Sequence, residues 1–478
     1  MTLTNTVGNL IAGESVPGAG ETALDVVNPS TAAPIARLQE ASAEQVDAAV
    51  RTARDAQRRW ARTTPAQRSD VLHAIATLFA ERAEEFVELE SADAGKPITT
   101  ARTIEVPGMA AGLRYFAGAG RSGSVLPADE YVPGNTVMMR REPVGVVAAI
   151  TPWNFPLQQA IWKIGPALAT GNAVVIKPAE QTPLSTARFV EMANEVLPPG
   201  VLNIVQGRGP TVGEQLVTHP GVDLVSFTGS TRAGRRVAEL AGAGPKRVLL
   251  ELGGNAPVVV FGDADLDRLV PTLTTAVLFN AGQECMSGNR VLAAGDIYDT
   301  LVERLAQEMM TWRLGDAADP DTALGPLISA HHRRTVAEAI AARPAGAEIV
   351  LGGEAPDRPG FFFNPTLITG VDQSDPLVQR EVFGPVATVQ TFRDEEQAIE
   401  FANGTSYGLA ASVWTRDGAR GLRLARELNF GSVWVNNHFV LGPEVPQGGF
   451  GASGYGKEGG AAGLEEMTRL KQVSISLE

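Results

Sequence analysis

Short β-branched runs alternate with helical segments twice along this chain, and few architectures accept that rhythm. The first series occupies residues 144–150, 173–177, 201–206, 222–228 and 247–251. The second occupies 257–261, 348–351, 387–392, 409–414 and 432–435, with helical stretches such as 330–342 between them. Runs of this kind lie parallel and bury both faces under the intervening helices. An α/β fold with two such units is therefore expected. A chain of 478 residues also exceeds what one hydrophobic core supports, and 44% apolar residues are enough for more than one.

Ahead of the first series the chain reads as helical after a short strand-like opening. Ser42 and Gln45 form a capping-box pattern before Val46, Ala49, Val50, Ala53 and Trp60 at helical spacing. Thr64 caps a second helix with Pro65 in its first turn, and a third helical run ends near Gly95. Gly/Pro-rich breaks fall near 252–257, 353–365 and 442–460, all too short for disordered linkers. The sequence shows no internal repeat and no low-complexity tract.

Lys and Arg total 40 against 54 Asp and Glu, a formal charge of 40 − 54 = −14. Such a surface repels phosphate backbones and anionic lipids, which argues against nucleic-acid and membrane roles. The opening Met1-Thr2-Leu3-Thr4-Asn5 lacks a basic start followed by an apolar run, so a cytoplasmic protein is expected. No metal constellation stands out; Asp263 with Asp265 and Glu465 with Glu466 read as helix-start or surface charges.

In an open parallel sheet the ligand lies beyond the carboxyl ends of the strands. Those ends are chemically rich here: Ile150-Thr151-Pro152-Trp153-Asn154-Phe155, Lys177-Pro178-Ala179-Glu180, Thr228-Gly229-Ser230 and Glu251-Leu252-Gly253-Gly254. Lys177 can donate to ribose hydroxyls. Glu180 can accept from a 2′-hydroxyl and repel a 2′-phosphate, favouring NAD over NADP. Gly229 and Ser230 offer donors to a phosphate at a helix start. Gly207, Gly209 and Gly213 depart from the usual dinucleotide fingerprint spacing and carry little alone. Cys285 is the only cysteine and ends the run Phe279-Asn280-Ala281-Gly282-Gln283-Glu284-Cys285, a small and polar setting. A lone cysteine ordinarily fills core space; this placement suits a nucleophile.

Together these segments resemble the aldehyde dehydrogenase superfamily. Pro152 to Pro156, Glu251 to Gly254, Gly282 to Cys285 and Glu381-Val382-Phe383-Gly384-Pro385 stand in the family's order, over nearly the whole chain. The resemblance implies two Rossmann-like α/β domains with a small β oligomerisation arm. The NAD-binding domain would take residues 1–121 and 141–251, with 436–460 returning to it. The catalytic domain would take 252–435, and the arm 122–140 and 461–478, giving a homodimer or homotetramer.

It also implies roles. Cys285 would attack the aldehyde, with Asn154 and the Cys285 backbone N–H holding the oxyanion. Glu251 would activate the water that hydrolyses the thioester, which relatives that pass the acyl group to coenzyme A lack. Ile150, Thr151, Pro152, Trp153, Gly209, Thr228 and Leu252 join Lys177, Glu180, Gly229 and Ser230 around the cofactor, with Glu381 and Phe383 at its nicotinamide end. Within the family the aminoaldehyde branch, including 4-aminobutyraldehyde and betaine-aldehyde enzymes, is the nearest resemblance. Phe155, Trp162 and Phe279 would border the tunnel and attract an ammonium group, with Glu444 adding charge; the setting would be polyamine breakdown. Simple aliphatic or aromatic aldehydes are the alternative substrates. A cysteine hydrolase would need a histidine base, and a non-catalytic relative would lack Cys285, Glu251 or Asn154.

Overall fold

The computed structural model describes residues 6–122 and 128–478. Residues 1–5, and 123–127 within the expected arm, lie outside the described residues.

The first β-branched series forms the centre of an eight-stranded sheet. Its strands run in the order Gly454–Tyr455, Arg247–Glu251, Leu224–Thr228, Val146–Ile150, Ala173–Lys177, Leu202–Ile204, Asn9–Ile11 and Glu14–Val16. The five middle strands are parallel, and antiparallel strands close both edges. Val146–Ile150 and Ala173–Lys177 are buried along their whole length, as parallel strands covered on both faces must be.

The second series builds a seven-stranded sheet ordered Glu348–Leu351, Thr366–Thr369, Val386–Phe392, Arg290–Ala294, Pro257–Val260, Ala410–Trp414 and Ser432–Val435. All neighbours are parallel except the first pair. Separate apolar cores fill the two sheets.

Two strands of the second sheet escape the sequence pattern. Arg290–Ala294 opens on an arginine and closes on two alanines. Arg290 is nevertheless fully buried, because its guanidinium donates to the carbonyls of Asn255 (3.0 Å) and Ala402 (2.7 Å). Thr366–Thr369 is four residues long and follows a Gly/Pro-rich stretch, too short to show a period. The opening is also richer in strands than expected, with Thr6–Val7, Ala23–Asn28 and Ala33–Gln39 forming a further small sheet.

The predicted caps form. Ser42 accepts from the Gln45 backbone and Thr64 from that of Gln67, with both reciprocal bonds made. Gly95 ends its helix at φ +73°. A third unit stands apart: Asn135–Pro143 pairs antiparallel with Ala128–Val132 on one side and Thr468–Ser476 on the other. It presents Tyr131, Val132, Leu470 and Ile475 to solvent.

Candidate active site

One cavity of about 760 Å³ opens between the two sheets, and residues from both line it. The first sheet brings Pro152 to Phe155, Thr228, Gly229 and Ser230, and Leu252 and Gly253. The second brings Cys285 through the turn that follows helix Leu266–Leu278, together with Glu381 and Phe383. Most residues named from sequence thus converge on one space, although Asn154 and Glu381 are 381 − 154 = 227 positions apart.

 The separation in sequence is bridged because the first sheet turns the carboxyl ends of its strands toward the gap, while the second sheet meets it with the segments that lead into strands Arg290–Ala294 and Val386–Phe392.

The loop that leads to Cys285 is held in an unusual shape. Asn280 and Ala281 both adopt left-handed backbone (φ +52° and +56°), and Gly282 follows at φ +69°. Asparagine and glycine tolerate this region and alanine does not, so packing has to impose it. A side chain at Gly282 would collide with the Gly384 carbonyl, and one at Gly254 with the Cys285 carbonyl. Asn154 ties the opposite wall to this loop: its amide donates to the Gln283 carbonyl (3.0 Å), while Asn280 donates to the Asn154 carbonyl (3.0 Å).

Cys285 is half-buried, and its thiol donates to Glu284 Oε1 at 3.2 Å. Burial first, then the charges of Glu284, Glu381 and Glu251, hold the thiol well above its ordinary pKa. Glu251 ends its strand buried, with Oε1 lacking a hydrogen-bond partner. Burial, and secondarily the like charge of Glu458, raises its pKa well above the usual carboxylate range. Glu458 is itself ion-paired with the buried Lys163, whose ammonium also donates to Thr228 Oγ1 (2.6 Å).

Toward the cofactor side expected from sequence, the Lys177 ammonium is buried, donates to the carbonyls of Pro178 (2.7 Å) and Gly207 (2.6 Å), and lies 3.7 Å from Glu180. Ser230 caps helix Thr231–Gly242. Thr151 Oγ1 is buried without a partner, and Gly209 has open space where a side chain would stand. Glu381 accepts from the Gly254 N–H at 3.0 Å, and burial raises its pKa to about 8. Phe383 is held at φ +58° beside Trp153, with ring centroids 5.3 Å apart. Ile150, Lys177, Glu180, Gly209 and Glu251 lie outside the wall of the 760 Å³ cavity itself.

Phe155, Trp162 and Phe279 do line it, and Phe155 stacks on Phe279 at 6.2 Å and 18°. Glu444 does not: it is exposed, away from the lining, and its charge is felt by Tyr115. Besides Glu284 and Glu381, the acid on the cavity wall is Glu105, delivered by a π-helical turn at Ala101–Glu105 and ion-paired with the buried Lys96. Glu105, Lys163, Glu458 and His332 carry no signal in local sequence, since each acquires its neighbours only through the tertiary fold; Glu284 stands inside the Gly282–Cys285 motif, and its bonds to Cys285 and Met286 are local. His332 lines the cavity and bonds the Phe383 carbonyl (2.7 Å); His438 bonds the Met286 carbonyl (2.9 Å) and Ser412 (3.1 Å). The cysteine's own hydrogen bond goes to a carboxylate, which leaves the histidine base of a cysteine hydrolase without support.

The sequence pattern of the aldehyde dehydrogenase family matches residues 16–473. The chain is 39% identical to a betaine aldehyde dehydrogenase of Bacillus subtilis, covering 97% of this chain and 96% of that protein. It is 40% identical to a phenylacetaldehyde dehydrogenase of Pseudomonas fluorescens, covering 98% and 95%. Among solved structures, a betaine aldehyde dehydrogenase of Staphylococcus aureus in complex with NAD+ superimposes with a TM-score of 0.96 at 38% identity, over 98% of this chain and 95% of that one. With its motifs gathered at one cavity and its whole length matched, the chain belongs to the aldehyde dehydrogenase family.

Proposed function

We propose that this enzyme oxidises an aldehyde to the free carboxylate with NAD, holding the carbon on Cys285 throughout. The observation that carries the reading is the Asn154–Gln283 bond, which fixes an amide donor against the nucleophile's own loop. Cys285 Sγ adds to the carbonyl carbon, and the resulting oxyanion takes the second Asn154 N–H and the Cys285 backbone N–H. One such donor is worth about 2.7–4 kcal/mol in a transition state. NAD, when bound, supplies the hydride acceptor, and loss of hydride from the adduct leaves a thioester on Cys285. Glu251 then takes a proton from the hydrolytic water, and the carboxylate leaves.

The residues around the strand ends fit that cofactor. Lys177 and Glu180 would hold a ribose, with Glu180 disfavouring the 2′-phosphate of NADP. The start of helix Thr231–Gly242 with Gly229 and Ser230 suits a pyrophosphate. Glu381 and Phe383 would hold the nicotinamide end, with Ile150 to Trp153, Gly209, Thr228 and Leu252 completing the walls. On this reading the eight-stranded sheet serves the cofactor and the seven-stranded sheet presents the cysteine. The exposed arm would pair with a second copy in a dimer or tetramer, and a reducing cytoplasm would keep the single thiol free.

The substrate reading is an ω-aminoaldehyde such as 4-aminobutyraldehyde, a product class of polyamine breakdown. Its support is an aromatic lining that carries the Glu105 carboxylate in addition to Glu284 and Glu381. Glu105 takes the role expected of Glu444. A second reading, an aryl aldehyde, draws on the stacked Phe155–Phe279 pair and on Phe439, 6.1 Å from Phe279. NADH formation with 4-aminobutyraldehyde, 3-aminopropionaldehyde, betaine aldehyde, hexanal and benzaldehyde, with Cys285→Ser as blank, separates them. Preference for the amino compounds, lost in Glu105→Gln, supports the first; preference for benzaldehyde, unchanged in that variant, overturns it.

A further inference from the structure

The thiol proton of Cys285 has to leave when sulfur attacks, and among the described residues one group is bonded to it. That group is Glu284 Oε1, 3.2 Å from Sγ, and the same oxygen accepts the Met286 backbone N–H at 3.3 Å. The second bond fixes the carboxylate toward the sulfur and not toward solvent. Glu284 lines the cavity beside Cys285, so an aldehyde reaching the sulfur also reaches the carboxylate.

The charged surroundings suit a proton acceptor. Lys96 acts on Glu284 from the helix end at 94–96, Glu105 from the π-helical turn and Glu381 from the opposite wall, while Cys285 adjoins it in the chain. Lys96 is committed to Glu90 (3.3 Å) and to Glu105, so it tempers the acidic group without capturing Glu284. Burial raises the Glu284 pKa from its ordinary value, which brings it nearer the range in which a carboxylate is an effective base.

We propose that Glu284 is the general base of the addition step, with Glu251 reserved for the water that hydrolyses the thioester. As the S–C bond forms, the S–H bond breaks toward Glu284 Oε1 and the carbonyl π pair moves onto oxygen. The products are a carboxylic acid at Glu284 and an oxyanion adduct on Cys285, with no change of oxidation state. Two carboxylates therefore divide the two proton transfers, one on each side of the sulfur's chemistry.

This assignment rests on the aldehyde-oxidising reading, but its test does not depend on it alone. Alkylation of Cys285 by iodoacetamide, followed against pH without cofactor or aldehyde, should rise through the titration of Glu284 and again as the thiol ionises. In Glu284→Gln the first rise should vanish, and thiolate absorbance at 240 nm should appear at lower pH because a like charge has gone. Glu284→Asp should keep a weakened first rise. In stopped flow, the NADH burst rate should fall about 10²–10⁴-fold in Glu284→Gln, with its amplitude and NAD binding kept. Glu251→Gln should keep a burst and lose turnover. An unchanged alkylation profile in Glu284→Gln, or a burst lost in Glu251→Gln and retained in Glu284→Gln, overturns the proposal. A wild-type protein with no burst on any aldehyde would sink the oxidation reading while the alkylation profile still decided the role of Glu284.

Discussion

Asn154 donates one amide N–H to the carbonyl of Gln283, 3.0 Å away and two residues before Cys285. The bond leaves the second N–H free and fixes the plane in which it points. Preorganised donors of this kind act without reorganisation during the reaction. Asn154→Ala should slow the NADH burst by about 10²–10³-fold. Stability should fall by only about 0.5–1.5 kcal/mol, because Asn280 also donates to the Gln283 carbonyl, at 3.2 Å. Burst kinetics and thermal melts on one preparation check both halves; a large stability loss with a normal burst would refute the assignment.

The loop that carries Cys285 depends on Gly282. Its φ of +69° and the Gly384 carbonyl beside it leave no room for a methyl group. Gly282→Ala should cost about 1–3 kcal/mol from overpacking alone, and more from the backbone. Gly209→Ala is the control, since Gly209 has neither a positive φ nor a neighbour within reach; its melt should stay within about 0.5 kcal/mol of wild type. Equal losses in the two variants would contradict this account.

The place of Cys285 on the cavity wall was legible in the sequence because the motif that marks it is local. Cys285 stands in a run without an apolar stripe, and the strand ends are marked by β-branched runs that stop at Thr151, Lys177, Thr228 and Glu251. The cavity's acidic side was not legible. Glu444 lies close in sequence to the run 434–439, a proximity that suggests a charge for the tunnel, yet its side chain is exposed and away from the cavity wall. Glu105 and Lys96 sit nine positions apart, a spacing that no regular helix face brings together, and the π-helical turn at Ala101–Glu105 makes the pairing. The same holds for Arg290, whose burial is compensated by carbonyls more than thirty residues away.

As the base proposed for hydrolysis, Glu251 has to be ionised to take a proton from water, and burial together with the charge of Glu458 holds it in the acid form to higher pH than usual. Turnover should therefore rise with pH through this raised pKa. Removing the like charge in Glu458→Gln should move that limb of the kcat profile to lower pH. The burst, which precedes water attack, should keep its own pH dependence. A shift to higher pH in Glu458→Gln would show that the carboxylate acts otherwise.

Glu40 fastens the turn that bears Gly209. It accepts from the Arg208 backbone (2.8 Å), from Arg208 Nε (2.8 Å) and from Thr211 (2.9 Å), which lowers its pKa to about 2. A depressed carboxyl stabilises the fold above its unfolded pKa, and the gain disappears as pH falls through the folded value. Glu40→Gln should lose about 1–3 kcal/mol at neutral pH. The gap to wild type should narrow as pH drops below about 4.5 toward 2. Melts at pH 7 and pH 4 would reveal a constant gap if the pair did not titrate in this way.

Lys96 has no exposed surface, yet two carboxylates and a ring depend on it. Its ammonium lies 3.3 Å from Glu90, pairs with Glu105, and sits 4.0 Å from the centre of the Phe155 ring on the cavity wall. Removing one member of a buried ion pair strands the others in a poor solvent, a loss of about 3–5 kcal/mol. Lys96→Met should pay that cost and also release Phe155 from its cation. The double variant Lys96→Met/Glu105→Gln should recover part of the stability, since one stranded charge is gone, but not the selectivity for amino compounds, which needs the Glu105 charge. Melts and KM values for 4-aminobutyraldehyde and hexanal, measured on the single and double variants, separate the two effects. Recovery of both together would mean that Glu105 serves only to balance Lys96.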